Sequence, residues 1–143
     1  MHKLLVAAAS VAAGGILFAV TASAQPSSSL QLVVVNGSGF AAAGTAPTAG
    51  GQVTFNVQTG ESQPWVSVSC AQNGHLVYGQ YWGFWSGYSP SPITSTMAAN
   101  GVFTLSSSLW AGGSASCTAT LYSVNAKNYK QTTLATLPFT VNG

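Results

Sequence analysis

The chain has no aspartate and no arginine, and only one glutamate and three lysines among 143 residues. Charged residues make up 3% of it, where about a quarter is ordinary for a soluble domain. This scarcity excludes several functions before any motif is sought. Glycoside hydrolysis generally needs two carboxylates flanking the scissile bond, and Glu61 stands alone. Proton-transfer catalysis needs titratable side chains. Nucleic-acid binding draws its main free energy from clustered lysine and arginine, and no basic patch exists. A Ser-His-Glu triad would have to join His75 and Glu61 beside a serine, but no nucleophile-elbow sequence supports one. No phosphate loop, dinucleotide fingerprint or calcium loop occurs either. The expectation is a protein that is not an enzyme and holds no metal or cofactor.

Disorder requires low hydrophobicity, but apolar residues are 47% of this chain. Its surface must therefore consist of Ser, Thr, Asn, Gln and Gly. A nearly neutral surface gives weak colloidal repulsion and favours adsorption or self-association.

The N-terminus reads as a secretory signal peptide. His2 and Lys3 precede an apolar stretch from Leu4 to Val20, and Ala22-Ser23-Ala24 is an A-x-A cleavage site. Cleavage there would start the mature chain at Gln25 and leave no membrane span. No cysteine follows the stretch that could carry a lipid anchor. The expected product is a secreted or extracellular bacterial protein, periplasmic in a Gram-negative host. The division is residues 1–24 as signal peptide, 25–30 as a flexible leader and 31–143 as one domain.

Cysteine is scarce too. Cys70 and Cys117 are the only two, and export makes a disulfide their default state. The other reading is free thiols or metal ligands, but two cysteines and His75 cannot complete a structural zinc site.

Helical periodicity is missing after residue 30, and period-two runs take its place. Gln31–Val35 is a first strand, and 36–50 is a Gly/Ala/Thr/Pro-rich loop or irregular edge. Gln52–Gln58 alternates with Val53, Phe55 and Val57 on one face. Trp65–Ala71 places Val66, Val68 and Cys70 on one face and Trp65, Ser67 and Ser69 on the other. Asn73-Gly74 is a type I′ hairpin signal leading into His75–Trp82. A loop runs from 83 to about 100, and Val102–Ser107 resumes as a strand. Ser114–Ser123 turns Ala115, Cys117, Ala119 and Leu121 inward. Lys127 and Lys130 mark a hairpin tip, and Thr133–Val141 closes the fold. Pro138 cannot donate to a ladder, so the last strand is expected at an edge or bulged there. About seven short strands with turn residues between them spell an all-β antiparallel sandwich. Both cysteines fall on the apolar parity of their strands, which points to a buried bridge through the core.

Cys70, Trp82 and Cys117, with Phe103-Thr104-Leu105 ahead of the second cysteine, follow an order in which residues 52–141 resemble an immunoglobulin-like domain. The resemblance implies a sandwich that displays loops for binding or acts as a spacer. The chain departs from the pattern at Ala115, where a tyrosine corner would stand, and in having two strands before Cys70. Cys70 therefore lies either on a B strand preceded by an extra strand, or on a C strand with an unusual bridge.

One positive signal for binding remains. Between Tyr78 and Tyr88, six of eleven residues are aromatic, interleaved with glycine. Alternation sends Tyr78 and Trp82 to one face and Tyr81 to the other. Tyr81, Trp82, Phe84, Trp85 and Tyr88 are the candidate ligand-binding residues, with a polysaccharide or a cell-surface protein as partner. The bland alternative is a local mini-core. A structural or self-assembling extracellular subunit is the competing role, suggested by the neutral surface and an open edge strand.

Overall fold

The structure, a computed structural model, describes residues 27–36, 39–40, 45–85 and 101–143. The expected signal peptide and Tyr88 lie outside the described residues.

The strands are β1 (Ser29–Asn36), β2 (Gly39–Phe40), β3 (Gln52–Gln58), β4 (Trp65–Gln72), β5 (His75–Gly83), β6 (Phe103–Thr104), β7 (Ala115–Val124) and β8 (Gln131–Val141). They form two antiparallel sheets, ordered β2-β1-β3-β6 and β5-β4-β7-β8. Two expectations about extent need correction. Ser29 and Leu30 are not leader but the start of β1, paired with Gln58 and Val57, because Leu30 continues the apolar parity of Leu32 and Val34. The expected strand over 102–107 shrinks to Phe103–Thr104, since Leu105 N–H turns to Gly51 O and Trp110 N–H to Ser107 O.

Alternation decides which side chains fill the space between the sheets. Val53 and Phe55 on β3, Val66, Val68 and Cys70 on β4, and Ala115, Cys117, Ala119 and Leu121 on β7 are all buried. Phe55 is the hub. Its ring lies 5.7 Å from Phe103 and 6.4 Å from both Phe84 and Phe139, so one side chain of β3 meets β6, β8 and the residue that follows β5. Asn73 and Gly74 turn the β4–β5 hairpin with φ of 50° and 79°, the two positive values that a type I′ turn requires.

The sulfurs of Cys70 and Cys117 are joined, and both residues are buried. The bridge does not cross the core. The two residues are direct partners on β4 and β7 of one sheet, with Cα atoms 4.0 Å apart. That spacing belongs to the narrow, non-hydrogen-bonded kind of antiparallel pair, near about 4.5 Å rather than about 5.5 Å. The sheets are held to each other by the phenylalanine cluster, and the disulfide staples two neighbours within one of them.

The same register explains Pro138. Backbone polar groups alternate sides along a strand. Cys117 therefore bonds to Phe139 on β8, and Thr118, next along, bonds back towards Ser69 on β4. Pro138, opposite Thr118, faces its nitrogen away from β7, towards the open edge of the sheet. A proline there costs no ladder bond and removes a donor that another chain could use. The bulge of this strand pair lies at Leu121/Tyr122 instead. Pro138→Thr is expected to fold normally and to raise concentration-dependent association. Sedimentation velocity over a concentration series checks this, and a variant as monomeric as the parent would show that the edge is guarded by something else.

Candidate functional site

The structure divides the aromatic segment along strand parity. Tyr78 points inward opposite Cys70 and is 3% exposed. Its ring lies 6.3 Å from Trp110, its hydroxyl donates to Gln80 Oε1 at 3.3 Å, and burial pushes its phenol above the ordinary range. Trp82, opposite Val66, also points inward and packs half-buried against the core. A Cβ on Gly101 would stand 2.7 Å from Trp82 Cβ, so only glycine lets the chain pass this indole. Trp82 Nε1 is buried without a hydrogen-bond partner among the described residues. By register, Tyr78 and not Trp82 is the β5 neighbour of the disulfide.

Phe84 was a candidate for ligand contact and is not on the surface. Its N–H donates to Pro64 O at 2.8 Å. That bond extends the β4–β5 ladder one step and carries the side chain to the core side. There it is 5% exposed and stacks on Phe103 at 6.3 Å with planes 19° apart. Trp82 and Phe84 thus serve the fold.

Tyr81 and Trp85 lie on the opposite parity and meet on the outer face of the β5-β4-β7-β8 sheet. What brings them together is Trp65, at the start of β4. Its ring is 6.0 Å from Tyr81 and 5.0 Å from Trp85, with interplanar angles of 61° and 75°. Tyr81 is 63% exposed, and both tryptophans are half-buried. Tyr122 completes the group. It pairs with Trp65 across β4 and β7, on the outer side and apart from the core cluster. Desolvation, and secondarily the charge of a Tyr81 phenolate, push its phenol above the ordinary range.

Trp65 and Tyr122 were not among the candidates. Trp65 was readable as outward-facing from the alternation of β4, but its proximity to Tyr81 follows only from the pairing of Tyr81 with Ser67, two residues along. Tyr122 carried no usable signal. After four inward residues at odd positions of β7, its place beside Trp65 depends on the pairing of β4 with β7.

Hydroxyl side chains continue the outer face beyond the aromatic group. Tyr81, Ser67, Thr120 and Thr136 stand in one row across the four strands, and Gly79, Ser69, Thr118 and Pro138 in the next. No ionisable side chain lies in either row besides the Tyr81 phenol. The charged residues of the described chain sit in exposed loops: Glu61 between β3 and β4, Lys127 and Lys130 between β7 and β8. Glu61 and His75 flank opposite ends of β4, eight residues long, which at about 3.3 Å per residue separates them by roughly 25 Å. They cannot meet over one serine.

Among the described residues no helix is long and apolar enough to cross a membrane, and no three His, Cys, Asp or Glu side chains come together.

No model of a known protein family matches the chain, and no curated protein or solved structure is significantly similar to it.

Proposed function

We propose that the chain is an exported, non-catalytic binding module of immunoglobulin-like type, which holds a polysaccharide or a cell-surface protein against Trp65, Tyr81 and Trp85. The strand order supports the type. If β1, β3 and β6 are A, B and E, then β8-β7-β4-β5 reads G-F-C-C′, the arrangement of such sandwiches with an added C′ strand. On this reading Cys70 belongs to strand C, and its bridge joins C to F instead of B to F. The A-x-A site and the closed disulfide both suit an exported chain.

The observation that carries the binding role is the position of the aromatic group. Three rings meet on the solvent side of a sheet whose opposite side already has a complete core. A Tyr and two Trp there stand outside the core cluster, and such residues dominate the energetics of binding surfaces. The competing role, a self-assembling subunit, has in its favour the stretch of β1 that β2 does not reach, since β2 pairs only with Val35 and Asn36 among the described residues, and Pro138 against it at the edge of the other sheet.

The test is retention on polysaccharides and on cell-envelope fractions. Trp65→Ala and Trp85→Ala together are expected to weaken retention at least about tenfold, the range of a buried-anchor loss. Tyr81→Ala, at the most exposed position, gives a second variant with little risk to folding. Unchanged retention in all of these, with thermal unfolding showing intact domains, would remove the surface from consideration.

A further inference from the structure

We propose that the ligand is an uncharged glycan chain that sets one sugar ring in the angled cradle of Trp65, Tyr81 and Trp85 and runs its neighbours along the hydroxyl rows of the same sheet face. This rests on the binding role proposed above and names its chemistry.

Three observations converge on it. The first is the charge of the face. Between the aromatic group and the β4–β5 turn, the rows present Ser67, Ser69, Thr118, Thr120 and Thr136 and no carboxylate, ammonium or guanidinium. An anionic or cationic ligand would lose hydration there without finding a counter-charge to repay it. A polyhydroxylated neutral ligand loses little and finds donors and acceptors in every hydroxyl. The sheet sets these in a grid of about 4.8 Å between strands and about 6.7 Å between alternate residues of one strand.

The second is Tyr122. It is 8% exposed, held beside Trp65 by register and close enough to Tyr81 to feel its charge. Its hydroxyl makes no hydrogen bond to any described residue, and it is not shut off from solvent as Trp82 Nε1 is. A phenol whose ring is packed beside an aromatic group while its hydroxyl stays open to solvent offers a ligand oxygen both a donor and an acceptor. Phenylalanine would fill the same volume if packing were all that was required.

The third is the shape of the cradle. Its rings stand at 61° and 75° to Trp65, so they cannot form one flat plate. A pyranose has apolar C–H faces and a polar equatorial rim. An inclined pair of aromatic faces takes the C–H face of a single ring from two sides and leaves its rim to Tyr122 and Ser67. A planar crystalline surface would touch only one ring at a time. The geometry therefore selects a soluble or amorphous chain over a crystalline fibre.

Affinity electrophoresis tests this with the folded protein in native gels containing soluble uncharged polysaccharides (a β-glucan, a xylan and a mannan) or anionic ones (alginate and hyaluronan), alongside pull-down on crystalline cellulose. Retardation by at least one uncharged polymer is expected, lost in Tyr81→Ala and Trp85→Ala. Tyr122→Phe, which removes one oxygen, is expected to weaken binding about 2- to 13-fold, the range of one net hydrogen bond. Lys127→Gln with Lys130→Gln is expected to change nothing. Retardation only by anionic polymers, with loss on removing the two lysines, overturns the uncharged ligand. So does aromatic-dependent capture confined to protein components of the envelope, which leaves the binding module intact and refutes the glycan alone. Glycan binding indifferent to Tyr81, Trp85 and Tyr122 overturns both proposals, and no retardation by any polymer overturns the glycan.

Discussion

Phe55→Ala is expected to lower the unfolding free energy by about 3–5 kcal/mol, the range for deleting a buried phenylalanine. The expectation rests on position as well as size. Phe55 is 0% exposed and sits near the middle of β3, which has β1 on one side and β6 on the other. Its edge-on neighbour Phe103 belongs to its own sheet, whereas Phe139 and Phe84 belong to the other or extend it. Truncation thus removes contacts that hold the two sheets together, and each aromatic pair adds about 0.5–1.5 kcal/mol beyond burial. The site cannot collapse easily, because its neighbours are themselves anchored. Phe84 is tied by its N–H to Pro64 O, and Phe139 is fixed in the β7–β8 ladder. Against a typical domain stability of about 5–15 kcal/mol, this loss would leave a marginal fold. Urea unfolding followed by tryptophan fluorescence measures it, with half-buried Val57→Ala as the internal comparison. A loss below about 1 kcal/mol would mean that the phenylalanine cluster is not what joins the sheets.

Much of this architecture was legible because side-chain parity is a local property. The faces of β3, β4 and β7 follow from alternation in Gln52–Gln58, Trp65–Ala71 and Ser114–Ser123, and the Asn73-Gly74 turn follows from two residues that tolerate positive φ. What parity cannot give is which strand lies next to which. Both cysteines were readable as inward-facing, yet an inward cysteine on β7 could have met one across the core or one alongside. Only the β4–β7 pairing decides, and that pairing joins residues 47 positions apart. The aromatic segment failed for a related reason. Six aromatics close in sequence suggested one surface, but alternation deals the five described ones to two sides. Tyr78, Trp82 and Phe84 go inward, Tyr81 and Trp85 outward, where the missing members arrive from β4 and β7. Thr54 shows the limit from the other side. It falls on the polar parity of β3 and is nevertheless 0% exposed, because its Oγ1 donates to Gly101 O at 2.7 Å from a segment 47 residues away. Burial from a distant loop leaves no periodic trace.

Replacing both cysteines, Cys70→Ala with Cys117→Ala, is expected to cost about 4 kcal/mol, mostly through the unfolded state. Chain-entropy arguments assign that value to closing a loop of this length, with a sequence separation of 47. The native state has little to lose. The bridge lies inside one sheet, between strands that pair continuously from Trp65↔Tyr122 to Ala71↔Ser116, so the ladder holds β4 to β7 whether or not the sulfurs are joined. Had the bridge spanned the sandwich, its removal would have loosened the sheets against each other as well. The double variant should accordingly keep the far-ultraviolet spectrum of the parent while its urea midpoint falls. The sulfurs belong to residues 1% and 3% exposed, so a reductant should reach them only through opening of the sheet. The rate of reduction should therefore follow the unfolding equilibrium, rising with urea and falling in any condition that stabilises the fold. Mass measurement with and without reductant establishes the oxidation state, and paired urea curves give the energy. A double variant as stable as the parent, or a disulfide reduced rapidly in the absence of denaturant, would show that the staple does not constrain the chain as its place in the sheet requires.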